Sequence, residues 1–523
     1  MGRNLQKNII IIVIALVIGM LWLVELDIRF GILGDVYKDR IIEKENIEIV
    51  FKKSGKIEET RYGEGYKPPE NISREETKKT EVTGEKVEKD PEKIIEEEKK
   101  EEEKNKIIIE EEKKETLPEL ECDVIVLSDF NESTCTRIRK ENIGSLGFFP
   151  VGGNTNLAAA YQLGASYHRV IIQWHQAYDG LGNFNYAPLD AIFADTQRNN
   201  LKVILSLRSN HPEKSSVTFI PSERSIDDPD SIPKNEQEWK NYVKETVNRY
   251  KNRGLVAVST INEIWQFKTN LPENHPDYEA RKRAEIVQLM RMTYEAVREV
   301  DQSIPVLSPA VTGGKIEALT KGYNENGFIY VGNDNTGISK LDRESAIRRP
   351  GNTNSELYRR AVIVDGAPYY NYLDLHQRVD FGSEIMFVAN WARDLLKQNG
   401  VTGKGMIATE FGGPFSYYST PYHAYMVTAA NVLAYYAGFD AVTWAHLRSL
   451  PNWVQNYNNP ALFDSNGNII IEAAEAMQRM SGTTKNFRTV RKVSENVYEF
   501  TLPSGQKQTI DTTLNVPLPP GYQ

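Results

Sequence analysis

The chain has 523 residues, with 63 Lys and Arg against 72 Asp and Glu for a formal charge of -9. This balance carries no polyanion-binding signature, so nucleic acid is not an expected partner. Two cysteines and seven scattered histidines make no zinc site, and neither a metal nor a cofactor is expected.

Residues 9–24 form an unbroken apolar run, with Arg3 and Lys7 before it and Glu25 and Asp27 after it. No small-x-small cleavage signal follows, so residues 1–30 are expected to be an uncleaved signal anchor that spans the cell membrane once. The positive flank puts the N-terminus in the cytoplasm and the rest of the chain outside. Residues 31–120 are rich in Lys and Glu, most densely over 92–115, and cannot bury enough apolar surface to fold as a domain. They read as a charged stalk, with Ile94-Ile95 and Ile107-Ile108-Ile109 leaving a coiled-coil contact open. Cys122 and Cys135 follow, either bridged in an oxidising compartment or left as free thiols.

From about residue 144, short apolar strands alternate with longer amphipathic stretches. Strands are predicted at 147–151, 166–174, 201–208, 255–261, 304–308, 373–376, 405–409 and 440–445. Helical periodicity lies between them at 236–253, where Trp239, Val243, Val247 and Tyr250 recur at steps of three and four, and at 278–300, 384–398 and 422–436. The expected fold is α/β, a (β/α)8 TIM barrel over residues 121–487 with its reacting groups at the C-terminal strand ends. The excursion 313–367 is either a wall or lid of a cleft or a plain surface insertion. Residues 488–523 are a C-terminal extension, with a β-hairpin over 498–511 turning at Pro503-Ser504-Gly505.

Glu263 and Glu410 each end an apolar, β-branched stretch, on the fourth and seventh predicted strands. Alone, either could be the first acidic residue of a solvated loop or a carboxylate at a helix N-terminus. Together they suggest the paired carboxylates of glycoside cleavage. No HExxH, Walker loop, nucleophile-elbow serine or dinucleotide fingerprint competes with them.

Over residues 144–487 the sequence resembles the retaining glycoside hydrolases of clan A, on Asn262-Glu263 and on Thr409-Glu410-Phe411-Gly412. The resemblance implies Glu263 as acid/base, Glu410 as nucleophile and an oligo- or polysaccharide substrate, with β-linked sugars favoured. The cellulase-like and xylosidase-like branches fit equally. The run from Tyr167 to Trp174 is similar to the second-strand segment whose arginine, here Arg169, supports the site and whose tryptophan, here Trp174, closes the strand. Pro368 to His376 is similar to the sixth-strand approach that ends on a histidine near substrate, and Trp444 to the aromatic platform of strand eight. His211 is a loose match for the polar residues after strand three. The family's tyrosine two residues after the histidine is missing, since Gln377 and Arg378 follow His376, which leaves Tyr369, Tyr417 or Tyr418 for that role.

The expected chemistry has Glu263 protonated in a setting desolvated by Ile264 and Trp265, Glu410 kept ionised by Arg169, and Asn262 on a sugar 2-hydroxyl. Against this, Arg169 could pair with Asp374, His376 could be a satisfied core histidine, and Trp174 and Trp444 could be packing residues. The rival function is a barrel that binds cell-surface glycan, or serves as a scaffold, without cleaving anything.

Overall fold

A computed structural model describes residues 124–516, apart from 125–126, 141–142, 150–156, 180, 222–227, 325–326, 334–336, 349–351, 379–381, 413–419, 446–461 and 463–470. The anchor at 9–24, the charged stalk and its isoleucine clusters lie outside the described residues. Among the described residues no helix is long and apolar enough to cross a membrane.

A curled parallel sheet with helices on its outside, resembling a (β/α)8 barrel, dominates the described chain. Its main path runs through Leu146–Phe149, Tyr167–Gln173, Lys202–Arg208 and Leu255–Thr260 on one side, and through Phe439–Ala445 and Gly405–Gly412 on the other. Tyr372–Asp374 pairs with the start of Gly405–Gly412. The strands follow apolar, β-branched runs buried on both faces, as in Lys202–Arg208, where only Lys202 is exposed. That strand pairs in register with its neighbour from Tyr167↔Lys202 to Gln173↔Arg208.

The predicted strand at 304–308 is reduced to isolated parallel bridges, Val258↔Val306 and Leu307↔Tyr372, which link the two arms of the sheet. Pro305 within this stretch and Pro309 after it cannot donate to a ladder, so only Leu307 N to Val258 O (2.8 Å) and Ser308 N to Tyr372 O (2.9 Å) remain of its pairing through donated bonds.

Helix Glu236–Tyr250 shows how the outer layer forms. Asn235 caps it by accepting from the backbone N–H groups of Gln237 and Glu238, and Trp239, Tyr242, Val243, Val247 and Tyr250 form its buried stripe. Gly254, at φ +96°, then turns the chain into Leu255–Thr260.

Inside the curl, Ile143, Tyr167, Ile204, Ala257, Leu307, Tyr372, Ile407 and Ala441 form one apolar cluster near the N-terminal strand ends. Two residues further along each strand, on the same face, stand Arg169, Ser206, Ser259, Asp374, Thr409 and Thr443, all buried. The interior therefore changes from hydrocarbon to a polar layer within one side-chain step, and the candidate site sits beyond it.

The C-terminal hairpin is part of a five-stranded antiparallel sheet, in the order Phe130–Asn131, Thr136–Ile138, Thr489–Ser494, Val497–Thr501, Lys507–Asp511. Residues ahead of the barrel thus share a sheet with the extension after it. Cys135 is disulfide-bonded, and Cys122, its expected partner, lies outside the described residues. The excursion 313–367 is folded, with helices Gly314–Thr320 and Asn352–Arg360 and a hairpin Phe328–Asn333/Gly337–Asp342. It packs around Leu319, Ile329, Leu341 and Ala346, with a buried ion pair from Arg359 to Glu317.

Candidate functional site

Both glutamates follow irregular backbone. Ile261, the last residue before Asn262-Glu263, lies at φ +60°, a conformation that costs a β-branched residue ~1–3 kcal/mol. On the other side, the pairing of Gly405–Gly412 with Phe439–Ala445 slips between Ala408 and Phe411, the stretch that carries Thr409 and Glu410. A slip of this kind re-aims a side chain relative to the regular alternation of a strand.

Arg169, buried on its strand, joins the two elements. Its Nη1 donates to Glu410 Oε1 at 2.7 Å and its Nη2 to Asn262 Oδ1 at 2.7 Å. Its Nε reaches Ser206 Oγ at 3.4 Å, and Ser206 is in turn bonded to Ser259 at 2.7 Å. The guanidinium favours an ionised Glu410, whose side chain is 12% exposed. Of the two carboxylates considered for Arg169, Glu410 takes the hydrogen bond, while Asp374 feels the guanidinium only through space.

Glu263 is held from two sides. His376 Nδ1 lies 3.0 Å from Glu263 Oε1, and the indole Nε1 of Trp265 donates to Glu263 Oε2 at 2.5 Å. Ile264 is buried, but Trp265 is 54% exposed, so the tryptophan expected to desolvate Glu263 is instead a solvent-facing donor to it. His376 Nδ1 is also 3.8 Å from Glu410 Oε2, so the imidazole faces both glutamates.

Behind the imidazole, Nε2 of His376 meets Thr409 Oγ1 at 2.9 Å. Thr409 donates its hydroxyl to Asp374 Oδ2 at 2.6 Å and its backbone N–H to Asp374 Oδ1 at 2.9 Å. Burial pushes the Asp374 carboxyl up, against the pull of His376, Arg169 and the two Thr409 bonds.

The structure brings Arg169, Asn262, Glu263, His376 and Glu410 together, sets Trp174 and His211 in a separate aromatic cluster, and pairs Trp444 with Phe411, the residue after Glu410. Trp174 is fully buried in an aromatic cluster with Tyr178, His211, Trp239 and Tyr242, and offers no ring face to a ligand. His211 accepts the backbone N–H groups of Glu213 and Lys214 on Nδ1, and its Nε2 lies 3.2 Å from Tyr178 O, so it braces a turn. Burial holds its imidazole below the usual value. Trp444, fully buried, meets Phe411 edge-on at 6.1 Å. Tyr369 packs against Tyr294, and Tyr417 and Tyr418 lie outside the described residues.

Sequence reasoning did not anticipate the Asp374 and Thr409 pair behind His376. Its signal was present, because Asp374 precedes His376 by two and so shares its face of the strand, and Thr409 directly precedes Glu410. Glu263, His376 and Glu410 offer donor atoms all within 4.8 Å of one another, a spacing a metal ion could use. One oxygen of Glu410 is already bonded to the Arg169 cation, which works against a second positive charge there.

No family model matches the chain, and no curated protein matches it. Among solved structures, it is similar to a family 39 glycoside hydrolase from the gut symbiont Bacteroides cellulosilyticus WH2, 13% identical, with a TM-score of 0.46 over 75% of this chain and 73% of that one. It is also similar to an exo-beta-1,4-mannosidase from Opitutaceae bacterium strain TAV5, 14% identical, with a TM-score of 0.42 over 68% and 62% of the two chains. A monomeric beta-xylosidase from Caulobacter crescentus CB15 is 10% identical, with a TM-score of 0.44 over 70% and 72%.

Proposed function

We propose that the chain is a retaining glycoside hydrolase acting on O-glycosidic bonds of an oligo- or polysaccharide, with β-linked sugars favoured. The observation that carries this reading is the approach of oxygens of Glu263 and Glu410 to within 4.8 Å. Carboxyl groups ~5–5.5 Å apart suit double displacement, whereas inversion needs ~6.5–9.5 Å to admit a water between them.

Glu410, ionised beside Arg169, attacks the anomeric carbon while Glu263 gives its proton to the leaving oxygen, so the glycosidic C–O bond breaks as the enzyme–sugar C–O bond forms. Glu263, now a carboxylate, takes a proton from a water molecule, and that water cleaves the covalent intermediate and frees Glu410. Asn262, held by Arg169, is placed to meet the sugar 2-hydroxyl. By sequence, residues 9–24 anchor the enzyme in the membrane and leave the barrel extracytoplasmic on its charged stalk.

The test is kinetic. The purified full chain should turn over an aryl glycoside, and Glu410→Gly should lose that activity and recover it with added azide. Glycan binding without turnover by the wild type would favour the rival, a non-catalytic glycan-binding surface protein. Carbonate-resistant membrane association, lost on deletion of residues 1–30, tests the anchor.

A further inference from the structure

Thr409 is the hinge of the chain of bonds behind the site. Its hydroxyl has one proton; with Asp374 ionised, the state that His376, Arg169 and the two Thr409 bonds favour against burial, that proton goes to Asp374 Oδ2 at 2.6 Å, because a carboxylate can only accept. Asp374 Oδ1 also accepts, from the Thr409 backbone N–H at 2.9 Å. With its proton committed, Thr409 Oγ1 faces His376 Nε2 at 2.9 Å as an acceptor, so Nε2 must carry a hydrogen.

We propose that Asp374 and Thr409 are positioning residues that fix the His376 imidazole with its proton on Nε2, so that Nδ1 and Glu263 Oε1 hold one proton between them. At their 3.0 Å separation, a neutral imidazole accepts the acid proton of Glu263, and an imidazolium donates to the Glu263 carboxylate. Either way the proton needed by the leaving oxygen is stored at the site. The opposite tautomer would put an N–H on Nδ1 and satisfy an already ionised Glu263, with no proton to give. The function of this device rests on the glycosidase reading; the tautomer does not.

Asp374→Asn inverts the arrangement with little change of shape. The Thr409 backbone N–H still requires an acceptor at Oδ1, so the new amide nitrogen takes the place of Oδ2 and donates to Thr409. The threonine hydroxyl must then turn to His376 Nε2, which moves the imidazole proton to Nδ1. In the full-length wild type, nitrogen-15 histidine spectra should show His376 protonated on Nε2, with its resonances assigned by their loss in His376→Gln; in Asp374→Asn they should show Nδ1. For substrates with alkyl leaving groups, kcat/KM should fall about 10²–10⁴-fold in Asp374→Asn, while a dinitrophenyl glycoside, which needs no acid, stays within about threefold.

A second pair guards against a variant that does not fold: Thr409→Ser should keep both the tautomer and the alkyl-substrate rate, and Thr409→Val should lose them. Wild-type His376 protonated on Nδ1 alone, or equal losses on both substrates in Asp374→Asn, overturns the proposal. A wild type that shows the Nε2 tautomer yet hydrolyses neither substrate would overturn the glycosidase reading instead.

Discussion

At the N-terminal end of the parallel strands, Arg137 is enclosed by the backbone carbonyls of Tyr435 (2.8 Å), Gly438 (2.8 Å) and Phe439 (3.0 Å) and by the carboxylates of Asp440 and Asp129. At the C-terminal end, Arg169 donates to Glu410 and Asn262. Both guanidiniums are about equally buried, with 1% side-chain exposure. Their acidic partners differ: Asp440 is also 1% exposed, whereas Glu410 is 12% and neighbouring Glu263 19% exposed. Burial of the guanidinium therefore does not separate the two ion pairs; exposure of the acid does. The lower cluster spends its donors on main-chain carbonyls and so docks the antiparallel sheet, whose strand Thr136–Ile138 carries Arg137, onto the barrel. The upper cluster ends on carboxylates that open toward solvent.

The largest expected effect lies at the upper end. Glu410→Gln should abolish turnover of an aryl glycoside, if Glu410 is the nucleophile proposed above, while the denaturation midpoint holds or rises slightly, because a partly exposed carboxylate contributes little to folding. A large loss of stability with this change would make the upper cluster structural, like the lower one.

Arg137→Met is the mirror experiment. It leaves Asp440 buried without its main counter-charge, a class of change that costs ~3–5 kcal/mol, with activity per folded molecule unchanged. Chemical denaturation and kcat together read both halves of that statement. The pH dependence sharpens it. Burial pushes the Asp440 carboxyl up, against Arg137, the Lys140 backbone N–H and Arg139, so folding favours the protonated form. That contribution is complete below the ordinary aspartate range and is lost as pH rises through the raised value. Wild type should therefore lose stability relative to Asp440→Asn across that window and not beyond it. Asp129 goes the other way: burial opposes it, but Arg393 and Arg137 hold its carboxyl below the usual range.

The sequence displayed the upper cluster better than the lower for a physical reason. Glu263 and Glu410 interrupt apolar strands, and a carboxylate at such a place stands out because its burial is costly. Arg137 sits in a short strand, and Arg139 just after it, with no such contrast, and Asp440, which both contact, lies about 300 positions away, beyond the reach of any local pattern. The parallel strands were legible from β-branched runs and the helices from their three-and-four periodicity. Trp174 misled because a tryptophan at a strand end has the same local signature whether it faces a ligand or, as here, Trp239. The stretch 304–308 has the apolar signature of a strand, but Pro305 and Pro309 leave it only isolated bridges.

The disulfide at Cys135 tests whether the antiparallel sheet depends on more than Arg137. Reduction, or Cys135→Ser, opens a loop of about 14 residues to Cys122 and should cost ~3 kcal/mol in the chain-entropy account. Activity at low denaturant should be untouched, since Cys135 adjoins the strand of Arg137 and not the strand ends that carry the glutamates.

The smallest expected effect probes the open side of the upper cluster. Trp265 gives an indole N–H to Glu263 Oε2 at 2.5 Å while its side chain remains largely in solvent. Trp265→Phe keeps an aromatic face and removes the donor, so any change reports the hydrogen bond and not the ring. A bond to an ionised group is worth ~1.5–3 kcal/mol when sheltered; solvent competition here points to about 1.4 kcal/mol, a tenfold fall in kcat/KM, with no shift in the denaturation midpoint. Trp265→Ala should fall further only if the exposed ring also stacks on a leaving-group sugar. Equal losses in the two variants would assign Trp265 to orienting Glu263 alone, and a loss of stability in either would mean that this tryptophan packs like Trp174 despite its exposure.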